Sequence, residues 1–304
     1  MNEFAPSLTA SPAAAPVTAA PDPMGDPLRA LSDGGVLAVI TGVEGAHYRN
    51  PGTIMAFPAS GGAVGQLSSG CIDADLALQA AQVAADGQPR RLRYGEGSPF
   101  RDLVLPCGGG LDVALIPVTD PQPIRQAVAA RDARLQAVLG IDLDLGSIAL
   151  NGPGFQLQIR PETRFLVWGA GVEAVVFAAL CRAAGYPTAL ASHDDATARA
   201  AAAQGVAVND SMQADAWTAV TLFYHDHDRE PALLARALAT PAFYIGAQGS
   251  LRSHQTRLRA LREMGVAKAD LARLRGPMGL IPSARDPKVL AVSVLAEILS
   301  EASP

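Results

Sequence analysis

The sequence predicts an α/β protein: a C-terminal Rossmann-like parallel sheet with helices on both faces, preceded by an α+β N-terminal domain. Three observations carry that expectation. "RFLVWGAGVEAVVFAALCRAAGYPTALAS" reads strand, glycine turn, helix, glycine stop, strand, which is a βαβ unit. Strand and helix patterns then keep alternating toward the end of the chain, as a parallel sheet covered on both faces requires. The first half instead carries short strands around glycine turns, with helical segments between them. A length of 304 residues also suits two domains better than one.

Taken in order, the opening "MNEFAPSLTASPAAAPVTAAPDPMGDP" has neither the basic start nor the continuous apolar core of a signal peptide. Its Ala, Pro, Ser and Thr bury too little apolar surface to offset ordering entropy, so residues 1–30 are expected to be a disordered tail. "GVLAVITGV" is an apolar, β-branched run and reads as a buried strand. "GTIMAFPASGGAVGQLSS" gives two short strands around a Gly-Gly turn. Ile72, Leu76 and Ala80 then recur about one turn apart, which predicts a helix stopped by Gly87. "PRRLRYG" and "LDVALIPV" read as strands, and "PIRQAVAARDARLQAVLG" as a helix closed by Gly140. A boundary near residues 150–162 divides a domain over 31–150 from one over 151–304. Past the βαβ unit, "TAVTLFYHDHD", "PALLARALA", "AFYIGAQGS" and "SHQTRLRALREMG" continue as strand, helix, strand, helix. The chain closes with a Pro-Gly loop and an apolar helix carrying Glu297.

Composition narrows the function. A formal charge of -5 argues against general nucleic-acid binding, which needs an excess of basic residues. No apolar run reaches the roughly 18 residues of a membrane span. Cys71, Cys107 and Cys181 cannot all pair within the chain, which suits a reducing compartment and a cytoplasmic protein.

The candidate chemistry gathers at the ends of elements. Gly169, Gly171 and Ala174 form a G-x-G-x-x-A fingerprint between a predicted strand and helix, where backbone N–H groups can approach a pyrophosphate. The acid that should grip a ribose about 20 residues on is missing. Ser192 and His193 stand there instead, with Asp194 just beyond. The turn therefore serves a dinucleotide, NAD(P), or a pocket for something else. "YIGAQGSLRSHQTRLRAL" offers a second turn: Gly246, Gly249, a capping Ser250 and Arg252 fit an anion site, and a capped amphipathic helix equally. Arg257 and Arg259 read as its solvated face. Cys71 in "SSGC" and Cys107 in "PCGGG" are thiols near element ends, reactive there or simply small buried hydrophobes. Cys181, mid-helix, reads as core. His225, Asp226, His227 and Asp228 follow an apolar strand and either bind a metal through the two histidines, line a pocket or cap the next helix. His47 and Arg49 lie in a loop between strands.

In this order the blocks resemble the xanthine dehydrogenase accessory protein family (XdhC/CoxI), over residues from about 35 to 300. The resemblance rests on "VLAVITGVEGAHYRNPGTIMAFPASGGAVGQLSSGC", "LPCGGGLDVALIPV", "LVWGAGVEA", "LFYHDHDREPALLARAL", "YIGAQGSLRSHQTRLRALREMG" and "GPMGLIPSARDPKVLAVSVLAEIL". It implies a chaperone that binds molybdopterin, the molybdenum cofactor, and protects it. It further implies that the protein supports sulfuration by a cysteine desulfurase and delivers the cofactor to a molybdenum hydroxylase apoenzyme. On that implication Cys71 and Cys107 meet molybdenum or carry sulfur, and no turnover by the chain itself is required. A homodimer is compatible with it. The chain departs from the family pattern at Val172, where a histidine is usual, at Ser192, where an aspartate is usual, and in "GAHYR", where only Arg49 survives of a Gly-Ser-Ser-Pro-Arg patch.

Overall fold

The computed structural model describes residues 21–47, 49–68, 70, 72–98, 108–209, 213–224 and 229–302. Cys71, Cys107, His225 and Asp226 lie outside them, as do His227 and Asp228. The first half runs α1 (Gly25–Ala30), β1 (Gly35–Glu44), β2 (Ile54–Pro58), β3 (Val64–Gly65), α2 (Asp73–Asp86), β4 (Arg90–Gly95), β5 (Gly110–Val118) and α3 (Gln122–Asp132). Three short strands close it: β6 (Ala137–Ile141), β7 (Ile148–Leu150) and β8 (Phe155–Ile159).

Strands β3-β2-β1-β5-β4 make an antiparallel sheet with β1 in the middle, both its edges paired and both its faces covered by packed layers. Val36, Ala38 and Ile40 pack on Ile72, Leu76, Ala80 and Val83 of the α2 region. Leu37 and Val39 face the other way, onto α1, α3 and the small β7-β6-β8 sheet. That two-sided burial is why "GVLAVITGV" is apolar without alternation.

Two expectations differ here. The N-terminal tail does not extend through residue 30: Leu28 and Leu31 are fully buried, and Asp22 pairs with Arg131 at 2.8 Å. Nor does one helix run to Gly140. It stops at Asp132 because Arg134 adopts a left-handed backbone (φ 64°), which ends an α-helix. Residues 137–141 are then a strand whose Ala137, Leu139 and Ile141 point into the core. Because β8 pairs with β6, the layered first half extends to Ile159.

The second half continues β9 (Arg164–Gly169), α4 (Val172–Ala183), β10 (Thr188–Ala191), α5 (Asp195–Ala203), β11 (Ala207–Val208) and β12 (Thr218–Phe223). It ends α6 (Glu230–Leu238), β13 (Tyr244–Ala247), α7 (Leu251–Glu263), α8 (Lys268–Leu271), β14 (Leu274–Arg275) and α9 (Pro287–Ala302). The six strands are all parallel, in the order β11-β10-β9-β12-β13-β14. Helices α4, α5 and α9 cover one face, around Phe165, Phe177, Phe223 and Tyr244. Helices α6, α7 and α8 cover the other, around Trp168, Leu222, Ile245 and Leu261. The chain reverses its direction of travel across the sheet between β9 and β12, and ligands of such sheets bind at the finishing ends of those strands.

Side chains that join the two halves lie at the opposite end. Arg134 donates to both carboxylate oxygens of Asp215 (2.8 and 3.0 Å), just before β12 begins. Arg164 reaches the same carboxylate at 3.4 Å. Arg160 lies over the Trp217 ring, 5.8 Å from its centre. Among the described residues, no helix is long and apolar enough to cross a membrane.

Candidate functional site: two glycine turns at one end of the parallel sheet

The fingerprint turn joins β9 to α4. Gly169 has no room for a side chain: a Cβ there would stand 2.7 Å from that of Ala174 and 2.8 Å from the Phe223 carbonyl oxygen. Gly171 takes φ 97°, which an L side chain avoids. Gly169 and the alanine that completes the motif thus follow from close packing of α4 on the strands, and Gly171 from the backbone turn. The donors of this turn are partly used within the protein. Gly171 N–H donates to Thr197 Oγ1 at 2.9 Å, and that hydroxyl donates to Asp194 Oδ2 at 2.5 Å. Asp194 also caps α5 by accepting from Ala196 and Thr197 N–H. The Thr197 hydroxyl and N–H hold its carboxyl below the ordinary aspartate range. Glu173, the acid of the first turn of α4, places Oε2 3.5 Å from where a Gly171 Cβ would lie.

Ser192 follows β10, and its Oγ accepts from Asp194 N–H at 3.1 Å. The serine thus shapes the loop that presents the Asp194 cap. Beside it, the exposed His193 ring stacks on Tyr224 at the end of β12, with centres 5.2 Å apart.

The second turn joins β13 to α7, two strands from the first, a separation of about 10 Å. Gly246 lies in β13 against the Tyr244 ring, where a Cβ would approach Tyr244 Cε1 to 2.6 Å. Gln248 N–H donates back to Leu222 O at 2.9 Å and fixes the turn on β12. Gly249 has φ 138°, and Ser250 caps α7 by accepting from Ser253 N–H at 3.1 Å. Arg252 is exposed on the first turn of α7.

Arg257 corrects the expectation of a solvated face: its side chain is only 4% exposed. It donates Nε to Glu230 Oε2 at 2.7 Å and Nη2 to Oε1 at 3.1 Å, a two-pronged pair with a fully buried carboxylate. Among the described residues its Nη1 has no partner, and it would stand 3.1 Å from a Cβ on Gly249. Gln248 Oε1 in the turn, His254 Nδ1 against Gly276 and Thr221 Oγ1 on β12 are also buried without a partner among the described residues. Thr221 is the strand neighbour of Gly246. Burial, then the charge of Arg257, pushes the His254 imidazole below the usual histidine range.

Sequence reasoning missed Arg257, His254, Glu230 and Thr197. The signal for the first two was spacing: residues 254, 257, 258 and 261 share one helical face, and Leu258 and Leu261 mark that face as inward. The remaining singled-out residues fall elsewhere. Arg49 lines a cleft of about 580 Å³ built from first-half residues, among them Pro21, Asn50 and Gln66. His47 Nδ1 lies 2.9 Å from Gly45 O. Cys181 is buried in the α4 core as expected, and burial raises its thiol pKa strongly. Cys71, Cys107, His225 and Asp226 are outside the described residues. Among the described residues, no group of three His, Cys, Asp or Glu side chains is placed to hold a metal.

Fold and turns together define a Rossmann-type protein with a layered α+β partner unit. More particularly, the chain belongs to the XdhC and CoxI family: residues 28–95 match that family and residues 165–298 match the XdhC Rossmann domain. It is 35% identical to the molybdenum cofactor insertion chaperone PaoD of Escherichia coli, over 88% of this chain and 83% of that one. It is also 27% identical to the Escherichia coli protein YqeB, over 81% of this chain but only 39% of that longer one. The crystal structure of a protein described as a xanthine dehydrogenase from Bacillus halodurans shares the fold. There the TM-score is 0.69 at 22% identity, covering 90% of this chain and 94% of the other.

Proposed function

We propose that this chain is a molybdenum cofactor insertion chaperone. It binds molybdopterin, protects it, supports its sulfuration by a cysteine desulfurase, and inserts it into a xanthine dehydrogenase-like molybdenum hydroxylase. The observation that carries this reading is the 35% identity, spread over 88% of the chain, to a protein named for that role.

The residues present fit such a cargo. A pterin phosphate calls for backbone N–H donors at a helix start and for a guanidinium. The β13–α7 turn has a capped helix start and an unpartnered buried Arg257 Nη1. Gly246, Gly249, Ser250 and Arg252 would hold the anionic end, with Gly169, Gly171 and Ser192 forming the neighbouring wall. Cys71 and Cys107 would offer soft thiolates to molybdenum or to the sulfur being transferred. His225 and Asp226 complete the proposed contacts at this end of the sheet, and Arg49 would offer its guanidinium from the separate first-half cleft. The bound cofactor supplies the redox chemistry of the client enzyme, whereas this chain binds, orients and releases. Action in the cytoplasm as a homodimer belongs to the same proposal.

The rival, an NAD(P)-dependent oxidoreductase, needs the fingerprint turn. Two features weigh against it: Thr197 already accepts the Gly171 N–H, and a serine stands at the ribose-gripping position, which counts against NAD but less against NADP. The test is mass spectrometry of the protein purified from a host competent in molybdopterin synthesis. A co-purifying pterin is the expected result. A co-purifying nicotinamide dinucleotide without pterin would overturn the proposal.

A further inference from the structure

Of the two glycine turns at the finishing ends of the parallel strands, the one without the fingerprint has a buried guanidinium nitrogen left over. We infer that the β13–α7 turn seats the anionic end of the ligand, a phosphate monoester, with Arg257 as its buried counter-ion, and that the fingerprint turn does not. This specifies a site within the proposed cofactor-binding role and rests on that reading for the identity of the ligand.

Unpaired buried polar groups are uncommon in folded proteins, and a cluster of them calls for a partner. Among the described residues, two such atoms belong to this turn, Gln248 Oε1 within it and Arg257 Nη1 against Gly249, whereas Thr221 Oγ1 lies on the other face of the sheet and His254 Nδ1 faces Gly276. Arg257 is decisive, because Glu230 engages Nε and Nη2 and leaves Nη1 directed at the bare face of Gly249. The absence of a side chain on Gly249 is what leaves that approach open. Ser250 takes the N–H of Ser253, while those of Leu251 and Arg252 belong to the first turn, where a helix supplies no acceptor. The field has the matching sign. The first turn of α7 has no acidic residue and carries Arg252, whereas the first turn of α4 carries Glu173. At α4, moreover, Thr197 has already taken the Gly171 N–H.

Two exposed residues at the first position of each helix give a symmetric test, Leu251 on α7 and Val172 on α4. A carboxylate suits the start of a helix, so Leu251→Asp and Val172→Asp should both fold, while each repels an anion at its own turn. The full-length proteins are titrated with inorganic phosphate against chloride at equal ionic strength, and the thermal midpoint is followed. The wild-type midpoint should rise saturably. The apparent affinity should fall about tenfold in Leu251→Asp and stay within about twofold in Val172→Asp. Arg257→Lys keeps a charge opposite Glu230 but loses the planar fork, and should weaken phosphate as well. The reverse pattern, or no saturable rise in the wild type, overturns the inference. Unaltered affinity in Arg257→Lys removes Arg257 from the seat and overturns it equally.

Pterin content after expression in a molybdopterin-competent host separates this inference from the broader proposal. If the phosphate series holds but the wild type carries no pterin, the cofactor role fails and the anion seat stands. If Leu251→Asp loads pterin as fully as the wild type, the seat fails and the cofactor role stands.

Discussion

Glu230 and Arg257 meet almost entirely out of water, so neither charge is tolerable without the other. Removing one partner leaves an uncompensated charge in the interior. Glu230→Ala should therefore cost about 3–5 kcal/mol, read as a lower urea midpoint with an unchanged slope. A loss below about 1 kcal/mol would mean that water reaches the guanidinium, as at a surface pair. Little of this was legible beforehand. Arg257 sat on the inward stripe of its helix, but a basic residue is assigned to solvent by default, and the acid that reverses that assignment lies 27 residues away. Thr197 was equally silent: its hydroxyl matters only because α5 brings it beneath Gly171. Gly169, Gly171 and Ser250, by contrast, were readable, because turn and cap chemistry is local.

At the scale of elements, the segment after α3 shows where local pattern runs out. "LQAVLGI" is a short apolar run that serves a helix or a strand, and periodicity does not separate the two. A left-handed Arg134 decides it, held there by Asp215, 81 residues further on. Once the segment is a strand, the bare Cα of Gly140 becomes a steric necessity, since a Cβ on it would overlap the Gly152 carbonyl oxygen across the small sheet. Gly140→Val should thus destabilise the protein by about 1–3 kcal/mol, although valine favours strands. Calorimetry checks this, and a neutral or stabilising valine would contradict the packing described. Helix α1 was missed for a related reason. Its Pro and Gly speak against a helix, and only burial of Leu28 against the central sheet reveals it. The long alternations of the second half were legible because strand, turn and helix there follow each other with little tertiary arbitration.

For the molecule as a whole, Asp215 is the residue on which the two halves converge. Burial alone would raise its pKa, but hydrogen bonds from Arg134, Thr218 and the Trp217 N–H outweigh it and lower the value to about 2. The sign follows from proton binding. Above about pH 4 the carboxylate is ionised in both folded and unfolded chains, and its stabilisation is fully present. Between about 4 and 2 the unfolded chain takes up the proton first, so stability falls as pH falls. Asp215→Asn should lower stability at neutral pH and flatten the acid limb of the profile in that window. An acid limb as steep in the variant as in the wild type would show that other carboxylates govern it. The placement of this link, at the starting ends of the parallel strands, was not legible. It joins Arg134 just past α3, the linker and the β12 approach, which no local pattern connects.

The Asp194–Thr197–Gly171 relay has a consequence for competition inside a cell. A cofactor carrier works among adenine nucleotides that far outnumber its cargo, and an open fingerprint turn would be filled by them. With the Gly171 amide already held by a hydroxyl, and Glu173 standing beside it, the turn offers a pyrophosphate one donor fewer, without any loss of the glycine geometry that packs the fold. On the proposed function, selectivity for a scarce pterin over an abundant nucleotide then begins with a binding place that the protein has filled for itself.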